Sequence, residues 1–191
     1  MVETVLVFPV FAFIMFGVFE FAMLMFTLGE SRWSAAEGAR VISEQGVLAP
    51  NCTAVSGCDR LVASYAGLPC DADCQALSLI NIGPLRTTSI ASVDEIDITK
   101  LKLVAGNLST DDVSPCVPKC MNSYKLDGTP IVKSPANKQY LAANRGVTLG
   151  AADYVEVVIK FHYNWKTGIF AQFPVPFLQA TYDVRLEPQR F

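Results

Sequence analysis

The sequence has very little of the chemistry on which most enzymes and metal sites depend. It contains a single histidine, His162. It has no glycine-rich phosphate loop after a strand, and no H-E-x-x-H, G-x-S-x-G or C-x-x-C motif. His162 alternates outward from a predicted strand, which is typical of a surface or pocket-lining histidine rather than a general base. The sequence therefore indicates a protein that is not an enzyme and that uses no cofactor.

Basic residues are also scarce, and none precedes Arg32. The formal net charge is −3, so nothing suggests a nucleic-acid partner. A secretory signal begins with a basic region, continues with a short apolar segment and ends at a cleavage site of small residues. Here the basic region is missing, the apolar run is longer, and G-E-S-R-W is a poor cleavage sequence. We therefore expect the apolar segment to be retained.

Apolar residues are abundant at the start of the chain. The run from Thr4 to Leu28 has 25 residues with one charged residue, Glu20, inside it, and Glu3 stands at its edge. About 20 apolar residues suffice for a helix to cross a bilayer, so this run predicts a membrane-spanning helix. No strong helix breaker follows before Gly46, and the helix is predicted to continue to about residue 45.

Two residues inside the apolar run weaken a helix. Pro9 removes one backbone hydrogen bond and bends the axis, and Gly17 adds conformational freedom. In a bilayer we expect a continuous helix, because freed backbone groups find no water there. Beyond the run, small residues dominate one face of the helix around Ala35 and Ala39, which predicts close packing against another element.

Six cysteines lie beyond the apolar segment, in close pairs at spacings of six, four and four: Cys52, Cys58, Cys70, Cys74, Cys116 and Cys120. An even number of cysteines in a small extracytoplasmic domain is typical of disulfides formed in an oxidising compartment. Zinc binding is the alternative, although zinc sites prefer tighter C-x-x-C pairs. We favour disulfides, in the local pairing Cys52–Cys58, Cys70–Cys74 and Cys116–Cys120.

The second half of the chain contains three segments in which apolar and polar residues alternate, which predicts strands. They are E-I-D-I-T-K-L-K-L-V-A-G, D-Y-V-E-V-V-I-K-F-H-Y-N-W and A-T-Y-D-V-R-L-E-P-Q. The residues predicted to point inward are Ile96, Ile98, Leu101, Leu103, Val155, Val157, Ile159, Phe161, Tyr163, Ala180, Tyr182, Val184 and Leu186. The stretches over 47–75 and 109–146 are interpreted as mainly irregular. The predicted fold class is α+β, a long N-terminal helix packed on a small antiparallel sheet with disulfide-stapled loops.

The opening residues resemble those of TadE-like pilins of the tight-adherence (Tad) type IV pilus. The shared features are a glutamate near the N-terminus (Glu3), a proline in the apolar stretch (Pro9), a G-x-x-E-F element (residues 17–21) and an A-A-E-G-A-R element (residues 35–40). The similarity is specific over residues 2–42, weaker over 150–188 and absent from the cysteine-rich middle. Type IV pilins usually have their glutamate fifth in the mature chain, whereas here it is third.

The resemblance implies a precursor cleaved by a prepilin peptidase and held in the bacterial inner membrane. It implies a transmembrane helix over residues 1–29, a periplasmic continuation over 30–46 and a globular pilin-like domain over 47–191. The positive-inside rule would instead place Arg32 and Arg40 in the cytoplasm, and we give the cysteines precedence. The chain is longer than the very short major pilins of this family, which favours a minor subunit.

The resemblance also implies roles for the residues within the helix. Glu3 is expected to pair with the amino group of a neighbouring pilin subunit, and the helix around Pro9 and Gly17 is expected to unwind locally in a filament. For Glu20 the sequence leaves open another chain, a backbone amide or a proton as partner. The alternative function is a membrane-anchored periplasmic binding domain that never polymerises, with the apolar loop 168–178 lining its ligand site.

Overall fold

The computed structural model describes residues 2–45, 72–82, 90–112, 116, 119–129, 131, 140, 145–148, 150–168, 170, 172–173 and 177–187, with the side chains of the first helix described from residue 7 to residue 44. Several predictions fall outside these residues. They concern Cys52, Cys58, Cys70 and the side chain of Glu3.

Helix α1 (Val2–Gln45) is continuous for 44 residues and includes Pro9. This agrees with the predicted extent of about 3–45. A second helix, α2 (Ala72–Ile82), packs against the C-terminal half of α1. The interpretation of residues 47–75 as irregular did not foresee α2, whose short A-D-C-Q-A-L-S-L-I-N-I sequence begins inside the cysteine-rich region.

The remaining elements form one antiparallel sheet of five strands: β1 (Ala91–Val104), β2 (Asn107–Thr110), β3 (Met121–Tyr124), β4 (Tyr154–Tyr163) and β5 (Leu178–Arg185). The strand order is β2-β1-β4-β5, and β3 also pairs with β1. The β1–β2 hairpin turns through Ala105 and Gly106, with φ angles of 49° and 84°, as a two-residue hairpin loop of this twist requires.

One face of the sheet forms the core with α1 and α2. The strand residues that point into it include Ile96, Ile98, Val155, Val157, Ile159 and Phe161, all at most 1% exposed. Helix α1 contributes Ala35, Ala39 and Ile42, each fully buried. These small side chains let the helix approach closely: a Cβ added at Gly38 would lie 2.8 Å from Cδ1 of Ile80 on α2. The predicted close packing of this helix face is confirmed.

The inward pattern of β4 is confirmed at every predicted position, whereas two other residues differ. Leu103 is 55% exposed because β1 extends past the start of β4, where Tyr154 pairs with Leu101, so the hairpin tip has no layer beneath it. Tyr182 is 45% exposed because β5 is an edge strand with a neighbour on one side only. Strands β2 and β3 also correct the interpretation of residues 109–146 as mainly irregular.

A buried ion pair joins α2 to the sheet. Arg145 donates to Asp73 in the first turn of α2, and both side chains are at most 1% exposed. Asn122 and Tyr124 of β3 also donate to the Asp73 carboxylate, at 2.7 and 3.1 Å. A buried carboxylate needs this number of partners to offset its loss of hydration, so the network fixes α2 on the sheet.

Candidate assembly and membrane interface

Helix α1 is divided into two parts by its surroundings. In the proximal segment, residues 7–19, every side chain is exposed except those at positions 12 and 17, which are half-buried. In the distal segment, residues 20–44, buried positions recur at Glu20, Thr27, Ser31, Ala35 and Ala39, the spacing of one helix face. The sheet domain therefore covers one face of the helix from Glu20 onward and leaves most of the proximal segment exposed.

The exposed side chains of the proximal segment are large and apolar. They are Val7, Phe8, Val10, Phe11, Phe13, Ile14, Met15, Phe16, Val18 and Phe19, between 46% and 67% exposed. The helix is long and apolar enough to cross a membrane. Such a surface is stable only in lipid or against other apolar helices. The structure is thus compatible with a single-pass membrane anchor.

Retention of α1 is also supported by its contacts with the domain. A cleavable signal contributes nothing to the domain that follows it, whereas Glu20, within the apolar run of α1, is only 1% exposed and its carboxylate accepts a hydrogen bond from Tyr163 of β4. The distal end is held as well. The Ser43 hydroxyl donates to the carbonyl of Arg185 at 2.8 Å, and the Ser43 backbone carbonyl accepts from the amide of Glu187 at 3.1 Å. The sheet therefore binds the distal segment at both ends.

Glu20 lies at the border of the two segments and is only 1% exposed. Its carboxylate accepts hydrogen bonds from the Tyr163 hydroxyl at 3.0 Å and the Lys166 amide at 2.9 Å on Oε1. On Oε2 it accepts from the Thr167 amide at 3.1 Å and the Thr167 hydroxyl at 2.9 Å. We call this arrangement the Glu20 clasp. Among the partners that the sequence left open, the structure identifies backbone amides, joined by two hydroxyls of the same chain.

The local chain course explains how these donors converge. Strand β4 ends at Tyr163, so the next residues leave the sheet and turn across α1. A turn exposes consecutive amides that have no ladder partner, and the carboxylate provides both acceptors. Burial raises the pKa of Tyr163, and its hydrogen bond to Glu20 raises it further, so the hydroxyl stays protonated and donates.

Aromatic rings make further contacts between the domain and α1, on the N-terminal side of the Glu20 clasp. Phe170 packs on Phe13 with ring centroids 5.7 Å apart, and on Trp165 at 5.8 Å. Phe173 follows at 6.3 Å from Phe170, and its carbonyl accepts from the Trp165 indole at 2.9 Å. We call Phe13, Trp165, Phe170 and Phe173 the aromatic cluster. In the loop 168–178, Phe170 therefore packs on α1 and Phe173 packs on Phe170, whereas Phe177 packs on His162 of β4 with centroids 5.3 Å apart.

Of the other residues predicted to act in assembly, the structure describes Pro9 and Gly17. Both lie within the continuous helix. A Cβ at Gly17 would be 3.6 Å from the ring of Phe170, an ordinary contact, so Gly17 faces the aromatic cluster. Local unwinding in a filament stays a prediction, as does the pairing of Glu3, whose side chain lies outside the described residues.

The cysteines that can be described form disulfides. Cys116 and Cys120 are bonded, with Cα atoms 4.7 Å apart, as predicted. Cys74 is also disulfide-bonded, and its partner lies outside the described residues. These three thiols are therefore unavailable as zinc ligands. In the part of the chain that the structure describes, no group of three or more potential ligands could hold a metal ion.

Residues 1–40 match the family model described as TadE-like protein. No curated protein and no solved structure matches the chain. The match covers the proximal segment, Glu20 and the small residues that pack on α2, and it agrees with the resemblance seen in the sequence. It indicates a protein associated with the Tad pilus.

The sequence analysis missed the residues that hold Glu20. Tyr163 was predicted to point inward, but Lys166 and Thr167 lie 146 and 147 positions from Glu20. No local pattern connects them. The carboxylate itself was the signal in the sequence, because a charge in an apolar run requires partners. The apolar loop that follows β4 is where the chain returns from the sheet to the helix.

Proposed function

We propose that this chain is a minor structural subunit of a Tad-type type IV pilus that serves surface attachment. The observation that carries the proposal is the proximal segment, whose large apolar side chains are between 46% and 67% exposed. Its supports are the TadE-like match over residues 1–40 and a disulfide-bonded domain, which fits an oxidising compartment.

Before assembly, α1 anchors the subunit in the bacterial inner membrane and the disulfide-bonded domain lies in the periplasm. A prepilin peptidase acts on the precursor. During assembly, the proximal segment exchanges lipid for the helices of other pilin subunits. Apolar surfaces that pack in this way can slide along the helix axis. A filament therefore needs a further interaction that fixes the axial register of its subunits.

Glu3 provides this register. At the end of an apolar bundle, its carboxylate pairs with the amino group of a neighbouring subunit, an attraction that grows as water is excluded. An unpaired charge in the same surroundings is heavily penalised, so wrong registers are disfavoured. Glu20 has another role, because four donors of its own chain already occupy its carboxylate.

The test compares the abundance of the protein in the inner membrane with its abundance in sheared filaments. Glu3→Ala is expected to accumulate normally in the membrane and to be lost from filaments. Glu30→Ala is the matched control, since it removes an acid from the same helix beyond the apolar run, and it is expected to be incorporated normally. Normal incorporation of Glu3→Ala would contradict the register pairing.

The same fractionation tests the function itself. If the wild-type protein is abundant in the inner membrane of piliated cells and absent from sheared filaments, the pilin proposal fails. A non-polymerising membrane-anchored binding domain would then be the better description.

A further inference from the structure

We infer that the aromatic cluster, together with Phe177, inserts into the outer leaflet of the lipid bilayer that α1 crosses, as a second membrane contact. The inference rests on the membrane anchoring in the proposed function and not on filament assembly. The subunit is then held by a helix and by a loop of its globular domain, and the domain sits directly on the membrane surface.

The loop meets the helix at a depth that lies within the bilayer. The apolar run covers residues 4–28, and a bilayer core takes about 20 helical residues. Every 20-residue window within this run contains residues 9–23. Phe13, Gly17 and Glu20 therefore lie within the hydrocarbon core in any such placement. Since Phe170 contacts both Phe13 and Gly17, the loop reaches below the membrane boundary.

The depth depends on where the bilayer core ends on α1. In the shallowest placement the core ends at residue 23, and Gly17 lies six residues, about 9 Å, below that boundary at the helical rise of 1.5 Å per residue. Phe13 lies ten residues, about 15 Å, below it, which is half of a core about 30 Å thick. Because Phe170 contacts both residues, insertion limited to the outer leaflet corresponds to this shallow placement.

Four backbone amides of this region, those of Lys166, Thr167, Phe170 and Phe173, have acceptors within the chain. Unbonded amides are excluded from hydrocarbon, and the Glu20 clasp satisfies those of Lys166 and Thr167. The amides of Phe170 and Phe173 donate to the carbonyls of Thr167 and Phe170, at 3.1 and 2.9 Å. A carboxylate within the apolar run thus has a physical purpose, because it lets an irregular segment enter a region with little water.

The exposed surface of this region is aromatic, as an interfacial contact requires. Phe173 and Phe177 are 52% and 50% exposed, at the end of the sheet where β4 stops and β5 begins. The Trp165 ring has its polar N–H bonded within the loop. Tryptophan and phenylalanine are preferred residues of interfacial segments, and this surface is continuous with the proximal segment through Phe13.

The test uses the two tryptophans of the chain as depth probes in the full-length protein. Trp33 lies on the distal segment and is 55% exposed; it is 13 residues beyond Glu20, about 20 Å along the helix. Trp33→Phe leaves Trp165 as the only tryptophan, and Trp165→Phe leaves Trp33. Each variant is reconstituted into phosphatidylcholine vesicles with acyl chains brominated near the headgroup, and flotation verifies that the protein is membrane-bound.

We expect bromination to cause a loss of Trp165 emission and little loss of Trp33 emission. Phe173→Ser, in the Trp33→Phe background, should reduce the loss for Trp165. Leu103→Ser is the matched control, since Leu103 is 55% exposed at the opposite end of the sheet, and it should have no effect. These results would support insertion even if the protein never enters a filament.

Two results would overturn the inference. The first is membrane-bound protein whose Trp165 emission is unaffected by brominated lipid. The second is an emission of Trp165 that is unaffected in vesicles but shifts to shorter wavelength in sheared filaments, which would show that a neighbouring subunit covers the surface instead of lipid. Failure of flotation would refute the anchoring on which the inference depends.

Discussion

The two segments of α1 belong to one continuous helix but are built for different surroundings. The proximal segment carries large apolar side chains on all sides, and its Phe8 is 67% exposed. The distal segment carries small residues on one face, and its Ala35 and Ala39 are fully buried. The proximal segment is suited to contact with lipid or with other apolar helices, and the distal segment is suited to contact with the domain of its own chain. Residue size, more than hydrophobicity, distinguishes the two.

The border between them is also chemically distinct. A carboxylate within an apolar run would be costly in lipid by a few kcal/mol, yet Glu20 is surrounded by donors of the domain. Among the described residues, the contact of the domain with the helix is polar at Glu20, and closer to the N-terminus, between Phe170 and Phe13, it is apolar. Two pairs of variants test this division of α1, and two other variants test charges on the sheet.

The largest loss of stability is expected from breaking the hydrogen-bond network around Asp73, which lies within the domain. Arg145→Met leaves the buried Asp73 carboxylate without its cation, which should lower the free energy of unfolding by about 3–5 kcal/mol. Phe16→Ser, in the proximal segment, should leave it unchanged because Phe16 is 46% exposed. Denaturant unfolding of the full chain in detergent measures both, and an equal loss for the two variants would contradict the division of α1.

A smaller effect is expected from filling the contact between α1 and α2. Gly38→Leu overpacks the site where Ile80 lies 2.8 Å from an added Cβ, and should cost about 1–3 kcal/mol. Gly29→Leu is the matched change in the same helix, and nothing lies within 4 Å of its added Cβ. It should stabilise the helix by up to about 1 kcal/mol. Thermal unfolding of the two variants gives the comparison, and similar shifts in Tm would argue against close packing at Gly38.

The smallest effect concerns charges on the outer face of the sheet. Burial raises the pKa of Glu156, and the facing Asp183 raises it further. A raised carboxyl pKa means that the folded state binds the proton more tightly, so this contribution to stability is lost as pH rises above the ordinary value near 4.5. Glu156→Gln should therefore raise the Tm at pH 7 and have little effect at acidic pH.

Asp112→Asn is expected to change the Tm at pH 7 in the opposite direction. A hydrogen bond from Lys102, together with its charge, lowers the pKa of Asp112, so its contribution is present at neutral pH and lost as pH falls through the lowered pKa. The variant should lower the Tm slightly at pH 7. A Tm shift of the same sign in both variants would show that one of the two pKa directions is wrong.

The parts of the fold that the sequence predicted are those with a long, regular signal. The 25-residue apolar run predicted α1, and strict alternation predicted the buried face of β4 residue by residue. Helix α2 and strands β2 and β3 were missed because each is short, with four residues in each of the two strands, and their positions depend on tertiary pairing with α1 and β1.

The border at Glu20 could be predicted only in part. The sequence showed that a carboxylate in the run needs a partner and named a backbone amide among the options. It could not give Lys166 and Thr167, because the contact depends on how β4 lies against α1 across more than 140 intervening residues. The aromatic cluster was likewise visible only as an apolar loop until the helix contact at Phe13 was known.

Amide hydrogen exchange at Lys166 and Thr167, in the full chain in lipid nanodiscs, tests the central claim most directly. Slow exchange of both amides is predicted for the wild type. In Glu20→Ala the two amides should exchange fast, while those in the middle of β4 stay protected. Glu20→Gln should fall between, because its amide oxygen accepts from one amide but its NH₂ group cannot accept from the other. Equal exchange at Lys166 and Thr167 in the wild type and Glu20→Ala would contradict the Glu20 clasp.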